Sequence, residues 1–149
     1  MEKKDRDKKD KGVDNNRVEV EGRKREYLMK ILSQNVRGLG EKFMWRAIRE
    51  CLIQEEVKFT CFQETKMESV SKQLCSALWG DGKCEWRESP AINLAGGLLC
   101  IWSKELMKVT MTFIGKGYMG VQRVWTEGNI PCLIINIYAP CKAEEKRRQ

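Results

Sequence analysis

The sequence contains no histidine among its 149 residues. Without an imidazole, the chain by itself can form neither a Ser-His-Asp triad nor a Cys-His pair, and it has no histidine general base. Any reaction that these residues catalyse alone must therefore use carboxylates, lysine, tyrosine or a metal-bound water. The absence of histidine also disfavours zinc, for which imidazole is a common ligand.

Long apolar runs are missing as well. No run approaches the about 18 residues that a membrane-spanning helix needs, so we expect no membrane partner. The chain begins with the charged segment Met1–Asp5 instead of the apolar stretch of a secretory signal, which predicts an intracellular protein. Internal repeats are also absent, and the length suits one domain.

The cysteines give no sign of a disulfide framework or a zinc site. There are seven, an odd number, and none belongs to a Cys-x-x-Cys motif. Most lie within apolar runs, where cysteine behaves as a small buried hydrophobic residue. We therefore expect buried free thiols in a reducing compartment.

Charged residues are abundant but mixed in sign. The formal net charge of +7 favours a polyanionic partner such as DNA, although acidic residues are interspersed with the basic ones. Residues 1–26 contain ten Lys or Arg and eight Asp or Glu, so we predict a disordered charged tail. Within it, Arg23–Arg25 offers a weak nuclear address or a phosphate contact, against the simpler interpretation of a solvated tail. A folded domain is expected over residues 27–141, and a second charged tail over 142–149.

The first part of the predicted domain has the pattern of a β-α-β unit. A compact apolar run over residues 27–33 predicts a strand, and the apolar stripe over 41–56 predicts a helix. Residues 57–62 predict the next buried strand. Such a unit normally places its two strands parallel in one sheet.

The rest of the domain is predicted to contain one more helix and five strands. The helix extends over residues 68–79, with Ser69 as its N-cap and Gly80 ending it. The predicted strands are 84–88, 97–102, 107–114, 121–126 and 130–137, and a hairpin turn at 127–129 joins the last two. The order of elements predicts an α/β fold with one mixed sheet and helices on one of its faces.

Polar side chains follow the two strands of the β-α-β unit. Asn35 comes at the end of the first strand and Glu64 at the end of the second. Ligands and metals gather at such strand ends, and a carboxylate beside an amide suits a hard cation such as Mg²⁺. Taken singly, Asn35 could be a turn residue before Gly38, and Glu64 an ordinary polar residue that closes a strand. Their equivalent positions favour a shared site.

Two further motifs allow alternative interpretations. Tyr138 follows the last apolar strand, where it could anchor the strand end in the core or donate a hydrogen bond to a phosphoryl oxygen. The segment Gly115–Gly120 matches G-x-G-x-x-G, but a strand-like segment follows it, whereas a dinucleotide site needs a helix there. We interpret this motif as a glycine-rich turn.

Several motifs together resemble the endonuclease/exonuclease/phosphatase superfamily, which includes exonuclease III, apurinic/apyrimidinic (AP) endonucleases and DNase I. The motifs are Lys30–Leu39 (Lys-Ile-Leu-Ser-Gln-Asn-Val-Arg-Gly-Leu), Phe62–Lys66 (Phe-Gln-Glu-Thr-Lys), Gly96–Leu99 (Gly-Gly-Leu-Leu) and Asn136–Pro140 (Asn-Ile-Tyr-Ala-Pro). The sequence is most similar to the endonuclease domain of plant LINE-type (non-LTR) retrotransposons, as Leu78–Gly80, Cys84–Trp86 and Tyr138–Cys141 also indicate. The resemblance covers residues 29–141.

The resemblance implies roles for individual residues. Glu64 matches the glutamate that ligates the catalytic Mg²⁺, for which Mn²⁺ is a substitute, and Asn35 matches the asparagine that shapes the metal and phosphate site. Tyr138 matches the tyrosine that contacts the scissile phosphate. Gln63 and Lys66 match motif positions without an assigned chemical role, and we group Lys66 with Asn35 and Tyr138 as a phosphate or DNA contact.

The sequence also departs from the family pattern. Gln34 stands where the family usually has tryptophan, and Arg37 stands where the repair enzymes commonly have aspartate. A later Asp-x-Asn strand end and a C-terminal Asp-His pair have no counterpart, so the resemblance covers only the N-terminal half of the family's four-layer α/β sandwich.

Three expectations follow from this partial match. As an isolated chain, the Mg²⁺-dependent DNA endonuclease that the motifs indicate is expected to have little or no activity. The alternative is a non-catalytic nucleic-acid-binding or interaction remnant. A half domain is also expected to expose an apolar sheet face, which would promote self-association.

Overall fold

The computed structural model of the chain describes residues 29–126 and 128–139, and both predicted tails lie outside this part. The strands are β1 (Ile31–Asn35), β2 (Phe59–Gln63), β3 (Cys84–Ser89), β4 (Leu98–Ser103), β5 (Met107–Gly115), β6 (Tyr118–Trp125) and β7 (Ile130–Ile137). The helices are α1 (Lys42–Gln54), between β1 and β2, and α2 (Lys72–Trp79), between β2 and β3. Neither helix is long and apolar enough to cross a membrane.

The strands form two sheets. The first has the order β1-β2-β4-β3, with β1 and β2 parallel and the other pairs antiparallel, so the predicted β-α-β unit is confirmed. The second is an antiparallel sheet of order β5-β6-β7. The α/β class is confirmed, but the expectation that all strands share one mixed sheet is wrong.

The burial of the central strands explains why a second sheet is needed. Every residue of β2 and β4 is buried, which means that both faces of the first sheet must be covered. On one face, α1 and α2 pack around a cluster that includes Leu52, Phe62, Leu78 and Leu99. On the other face, β5, β6 and β7 cover a second cluster that includes Phe59, Trp102, Met119 and Val121.

Helix α1 has nearly the limits predicted for it, whereas α2 is shorter than predicted. Ser69 is not the N-cap of α2, because the helix begins at Lys72 and its N-cap is Ser71, two residues later. The Ser71 hydroxyl accepts a hydrogen bond from the Leu74 amide at 3.1 Å, which satisfies a free N–H group of the first turn. Gly80, with φ 104°, ends α2 as predicted.

The G-x-G-x-x-G motif contains a turn, as interpreted from the sequence, but only Lys116 and Gly117 form it. Gly115 ends β5, and β6 begins at Tyr118, three residues before the predicted start of that strand. Gly117 has φ 80°, and a Cβ there would lie 2.8 Å from the carbonyl oxygen of Tyr138. Glycine is therefore needed for the backbone conformation and for the close approach of β7. A turn also joins β6 and β7 as predicted, although Glu127 lies outside the described residues.

Apolar side chains remain on the outer face of the three-stranded sheet. The large exposed ones on this face, which we call the outer apolar face, are Met111, Tyr118, Leu133, Ile135 and Ile137. The expected apolar face is thus present within the described part of the chain. The described cysteines are all free, and four of the six are buried, as predicted.

Candidate functional site

The ends of β1 and β2 bring Asn35 and Glu64 to the same edge of the first sheet. Asn35 lies opposite Gln63 in the parallel register, and Glu64 follows Gln63 directly. Beyond the strands, the Gly38 amide donates a hydrogen bond to the Glu64 carbonyl oxygen at 2.7 Å. The two loops that leave the strands are therefore held side by side, as the sequence predicted.

Asn35 also fulfils its alternative interpretation as a turn residue. Its Oδ1 accepts a hydrogen bond from the Arg37 amide at 3.2 Å, which stabilises a turn in which Arg37 has φ 51° and Gly38 has φ 111°. The side chain is exposed and borders a cleft that Glu64 and Tyr138 also line. Turn formation and a place in the cleft are therefore compatible.

Glu64 lies in the left-handed region, with φ 53°. Few residues with a side chain adopt this conformation, and such residues cluster at functional sites. The loop that contains Glu64 is supported by hydrogen bonds from Thr65 and Lys66 amides to the carbonyl oxygens of Gly97 and Gly96, at 3.2 and 2.9 Å. A Cβ on Gly97 would collide with Thr65 Oγ1, which explains the glycine at that position.

The Glu64 carboxylate is stabilised in its ionised form. The Tyr138 hydroxyl donates a hydrogen bond to Glu64 Oε1 at 2.7 Å. This bond is the largest cause of a lowered Glu64 pKa, followed by a hydrogen bond from Asn35 and by the positive charges of Lys66 and Arg37. A carboxylate that stays ionised is suited to binding a cation.

Tyr138 reaches Glu64 from the other sheet. Its amide donates to the Gly117 carbonyl oxygen at 2.8 Å, and its half-buried ring packs against the cluster between the sheets. The anchoring interpretation is therefore confirmed. The hydroxyl extends into the cleft, and its contact with a phosphoryl oxygen stays a prediction. Three loop or strand ends from two sheets thus converge on one site.

Lys66 and Arg37 make the border of the cleft positive. Both side chains are exposed, and neither is among the ion pairs that the described residues form with each other. Their charges are near enough to lower the Glu64 pKa. Exposed positive charges of this kind can attract a phosphate backbone, and the phosphate contact of Lys66 stays a prediction.

The sequence analysis missed Asn136, which lies behind the site. It is 1% exposed, and its Oδ1 accepts a hydrogen bond from Gln63 Nε2 at 2.7 Å. A signal was available, because Asn136 is the only side chain of the run Leu133–Ile137 that can form hydrogen bonds. A buried amide needs partners, so its position in an apolar strand indicates a specific contact.

The donor set fits a hard cation in chemical type. The Asn35 and Glu64 oxygens are ligands that Mg²⁺ accepts, and Mg²⁺ commonly binds through one or two protein oxygens while water and phosphate complete its shell. Within residues 29–126 and 128–139, no group of three or more His, Cys, Asp or Glu side chains could hold a metal. An ion bound here would therefore need water or substrate oxygens for most of its coordination positions.

Comparisons with known proteins give a fold but no family. No family model matches the chain, and no curated protein is similar to it. The AP endonuclease LMAP from Leishmania major has a similar structure, with a TM-score of 0.56 and 15% identity over 75% of this chain and 40% of that one. The APE2 catalytic domain from Xenopus laevis has a TM-score of 0.52 and 17% identity, over 79% of this chain and 47% of that one.

At these identities the similarity establishes an AP endonuclease-like fold and nothing finer. The chain spans less than half the length of either structure.

Proposed function

We propose that this chain forms one wall of a Mg²⁺-dependent phosphodiester endonuclease site that acts on DNA. The observation that carries the proposal is the convergence of Asn35, Glu64 and Tyr138 on one cleft, with Tyr138 hydrogen-bonded to Glu64 at 2.7 Å. The AP endonuclease-like fold and the resemblance of the motifs around these residues support it.

In this proposal each residue has a separate task. Glu64 and Asn35 would hold Mg²⁺, which when bound supplies positive charge next to the phosphate. The Tyr138 hydroxyl has one proton, which it donates to the Glu64 carboxylate in the free protein. When substrate binds, it would donate that proton to a phosphoryl oxygen instead. Lys66 and Arg37 would attract and orient the neighbouring phosphates of the DNA backbone.

The isolated chain is expected to be nearly inactive. It has no histidine, and the cleft residues include one carboxylate, Glu64, which is hydrogen-bonded and ionised. A water nucleophile therefore lacks a general base in this wall. Removing part of a coupled catalytic set typically costs orders of magnitude in rate.

A nicking assay tests the predicted inactivity of the isolated chain. Purified chain and the Glu64→Gln variant are incubated with supercoiled plasmid and Mg²⁺, and we expect equal, near-background rates. Mg²⁺-dependent nicking by the native chain that disappears in Glu64→Gln would contradict the predicted inactivity. Glu68→Gln, an exposed carboxylate four residues away, is the matched control.

The proposal extends to the origin of the sequence. We infer from the quoted motifs that the chain corresponds to the N-terminal half of a LINE-type retrotransposon endonuclease, whose task would be to nick target DNA. The genomic sequence downstream of Gln149 tests this inference. An Asp-x-Asn motif, an Asp-His pair and a reverse-transcriptase region there would support it, and unrelated sequence would oppose it.

A second candidate function is non-catalytic DNA binding. The net charge of +7 and the positive border formed by Lys66 and Arg37 favour it. DNA binding that weakens with salt but survives both EDTA and Glu64→Gln would support this alternative over the metal site.

Self-association is proposed to occur through the outer apolar face. The large apolar side chains exposed on this face have no cover within the described residues, and an exposed apolar patch commonly marks a surface for association. The occupant proposed is a second copy of the chain. Sedimentation should give species larger than a monomer, and Ile135→Lys should shift them to monomer; a native monomer would contradict this.

A further inference from the structure

Asn136 is a buried amide between the two sheets. It extends inward from β7, and the backbone groups that it reaches belong to β2 and β4 of the other sheet. Its neighbours on β7 face alternately inward and outward, as in any strand. The inward side chain two residues later is Tyr138, so Asn136 and Tyr138 share one face.

Hydrogen bonds fix the Asn136 amide in both directions. Its Oδ1 accepts from Gln63 Nε2 at 2.7 Å. Its Nδ2 donates to the carbonyl oxygens of Phe62 and Leu99, at 3.1 and 3.4 Å. Reversing the amide would bring donor against donor and acceptor against acceptor, so this arrangement has one favourable orientation.

Gln63 extends the network to the first strand. Besides Asn136, its Nε2 contacts Ser33 Oγ at 3.1 Å and the Cys61 carbonyl oxygen at 3.2 Å. Because Gln63 precedes Glu64, the network links the strand that delivers Glu64 to the strand that delivers Tyr138. Strand β1, which delivers Asn35, is joined through Ser33.

The apolar residues of β7 do not by themselves define its position. Leu133, Ile134, Ile135 and Ile137 are similar in size and polarity, so sliding the strand by two residues would still place an apolar side chain on each face. Such a slide would bury the Asn136 amide without its partners, at a cost of about 1–3 kcal/mol for each unsatisfied group. Among the side chains of β7 over Leu133–Ile137, the Asn136 amide is therefore the one that discriminates between registers.

We propose that Asn136, acting through Gln63, is a positioning residue that sets β7 against β2 so that the Tyr138 hydroxyl meets the Glu64 carboxylate. This inference concerns the geometry of the pair, and its catalytic meaning rests on the proposed function. Neither Asn136 nor Gln63 needs to touch metal or substrate in this role. Their contribution is to hold two groups, delivered by different sheets, at hydrogen-bonding distance.

The test uses fluorine NMR of the full chain labelled with 3-fluorotyrosine. Tyr138→Phe identifies the Tyr138 signal, and Glu64→Ala gives its position when the hydrogen bond to Glu64 is absent. We expect Asn136→Ala and Gln63→Met to move the Tyr138 signal at least half of the way to that position. The Tyr118 signal, from a tyrosine on the outer apolar face, should stay in place and report that the fold is retained.

A matched control separates positioning from lost stability. Thr60 is also a buried polar residue of β2, and its hydroxyl forms hydrogen bonds with the Ile101 backbone at 3.2 Å. Thr60→Val should lower stability by a comparable amount without moving the Tyr138 signal. An unmoved Tyr138 signal in both Asn136→Ala and Gln63→Met, or an equal movement in Thr60→Val, would overturn the proposal.

The remaining outcomes are also decisive. If Asn136→Ala does not fold, Gln63→Met decides alone, and if both fail where Thr60→Val folds, the network serves folding as a whole and the positioning role is overturned. Mg²⁺ titration of the same samples separates this inference from the proposed function. Absence of Mg²⁺ binding by the native chain would oppose the function and leave the fluorine result intact.

Discussion

At the residue scale, Glu64 and Arg123 are oppositely charged and differ in how their charges are stabilised. Glu64 lies at the cleft, where Tyr138 and Asn35 stabilise its carboxylate. Arg123 is fully buried between the sheets, with its guanidinium 5.3 Å from the centre of the Phe59 ring. Burial lowers the Arg123 pKa, because removal from water disfavours the charged form.

Within residues 29–126 and 128–139, Arg123 lacks the partners that a buried cation needs. Its Nε and Nη1 have no hydrogen-bond acceptor within the described part of the chain, and Nη2 contacts only the sulfur of Met29. The cation–π contact with Phe59 stabilises the buried guanidinium by about 0.5–2 kcal/mol. Leaving a charge buried without a partner costs several kcal/mol, so the unfavourable effect is larger.

Replacing Arg123 with a residue of similar length should therefore stabilise the fold. Arg123→Met keeps a flexible side chain in the core and removes the buried charge. We expect the free energy of unfolding to rise by about 1–3 kcal/mol, measured by urea denaturation. Arg46→Met, at an exposed site on α1, is the control and should change it by less than about 0.5 kcal/mol. A destabilised Arg123→Met would contradict this explanation and indicate that the Arg123 guanidinium has a hydrogen-bond acceptor in the folded protein.

At the element scale, the turn between β5 and β6 supports the end of β7. The Gly117 carbonyl accepts the hydrogen bond that fixes the Tyr138 amide, and the Gly117 backbone leaves room for the Tyr138 carbonyl oxygen. A loop remote in sequence from Glu64 thus takes part in placing the third member of the site.

A side chain on this turn should disturb both stability and the site. Gly117→Ala introduces a Cβ at φ 80°, 2.8 Å from a backbone oxygen. The left-handed conformation alone costs about 1–2 kcal/mol, and the contact adds to it. Thermal unfolding should show the loss. Gly82→Ala is the matched control, because no atom lies within 4 Å of its Cβ, and an equal effect of the two substitutions would contradict this explanation.

Local patterns predicted most elements well and their assembly less well. The limits of β7 agree with the sequence, because Asn129 and the apolar run bound the strand clearly. The start of α2 does not, since Ser69 and Ser71 are both competent caps and only Ser71 is used. The second sheet was missed because strand patterns report burial, whereas pairing partners depend on contacts distant in sequence.

In the candidate site, too, the local features could be predicted from the sequence and the contacts between sheets could not. Asn35 and Glu64 could be predicted together, because parallel strands place their ends at one edge. The Tyr138 hydroxyl could be assigned to them only through the family resemblance, since Tyr138 belongs to the other sheet. Asn136 was missed because the value of a buried amide depends on the groups across the sheet interface, which no local pattern specifies.

At the scale of the whole molecule, the two sheets differ in what covers their faces. The first sheet has helices on one face and the second sheet on the other, whereas the outer apolar face has no cover within the described residues. The site lies where ends of both sheets meet. Its geometry therefore depends on how the sheets pack, and the outer apolar face is the surface that the proposed self-association would use.

The proposed function requires Mg²⁺ binding in the cleft of Asn35, Glu64 and Tyr138, which NMR titration with Mg²⁺ measures. We expect saturable shifts of the backbone amides at these residues, with the affinity at least about tenfold weaker in Glu64→Gln and unchanged in Glu68→Gln. Equal Mg²⁺ affinity in the native chain and in Glu64→Gln, or shifts confined to other residues, would contradict it.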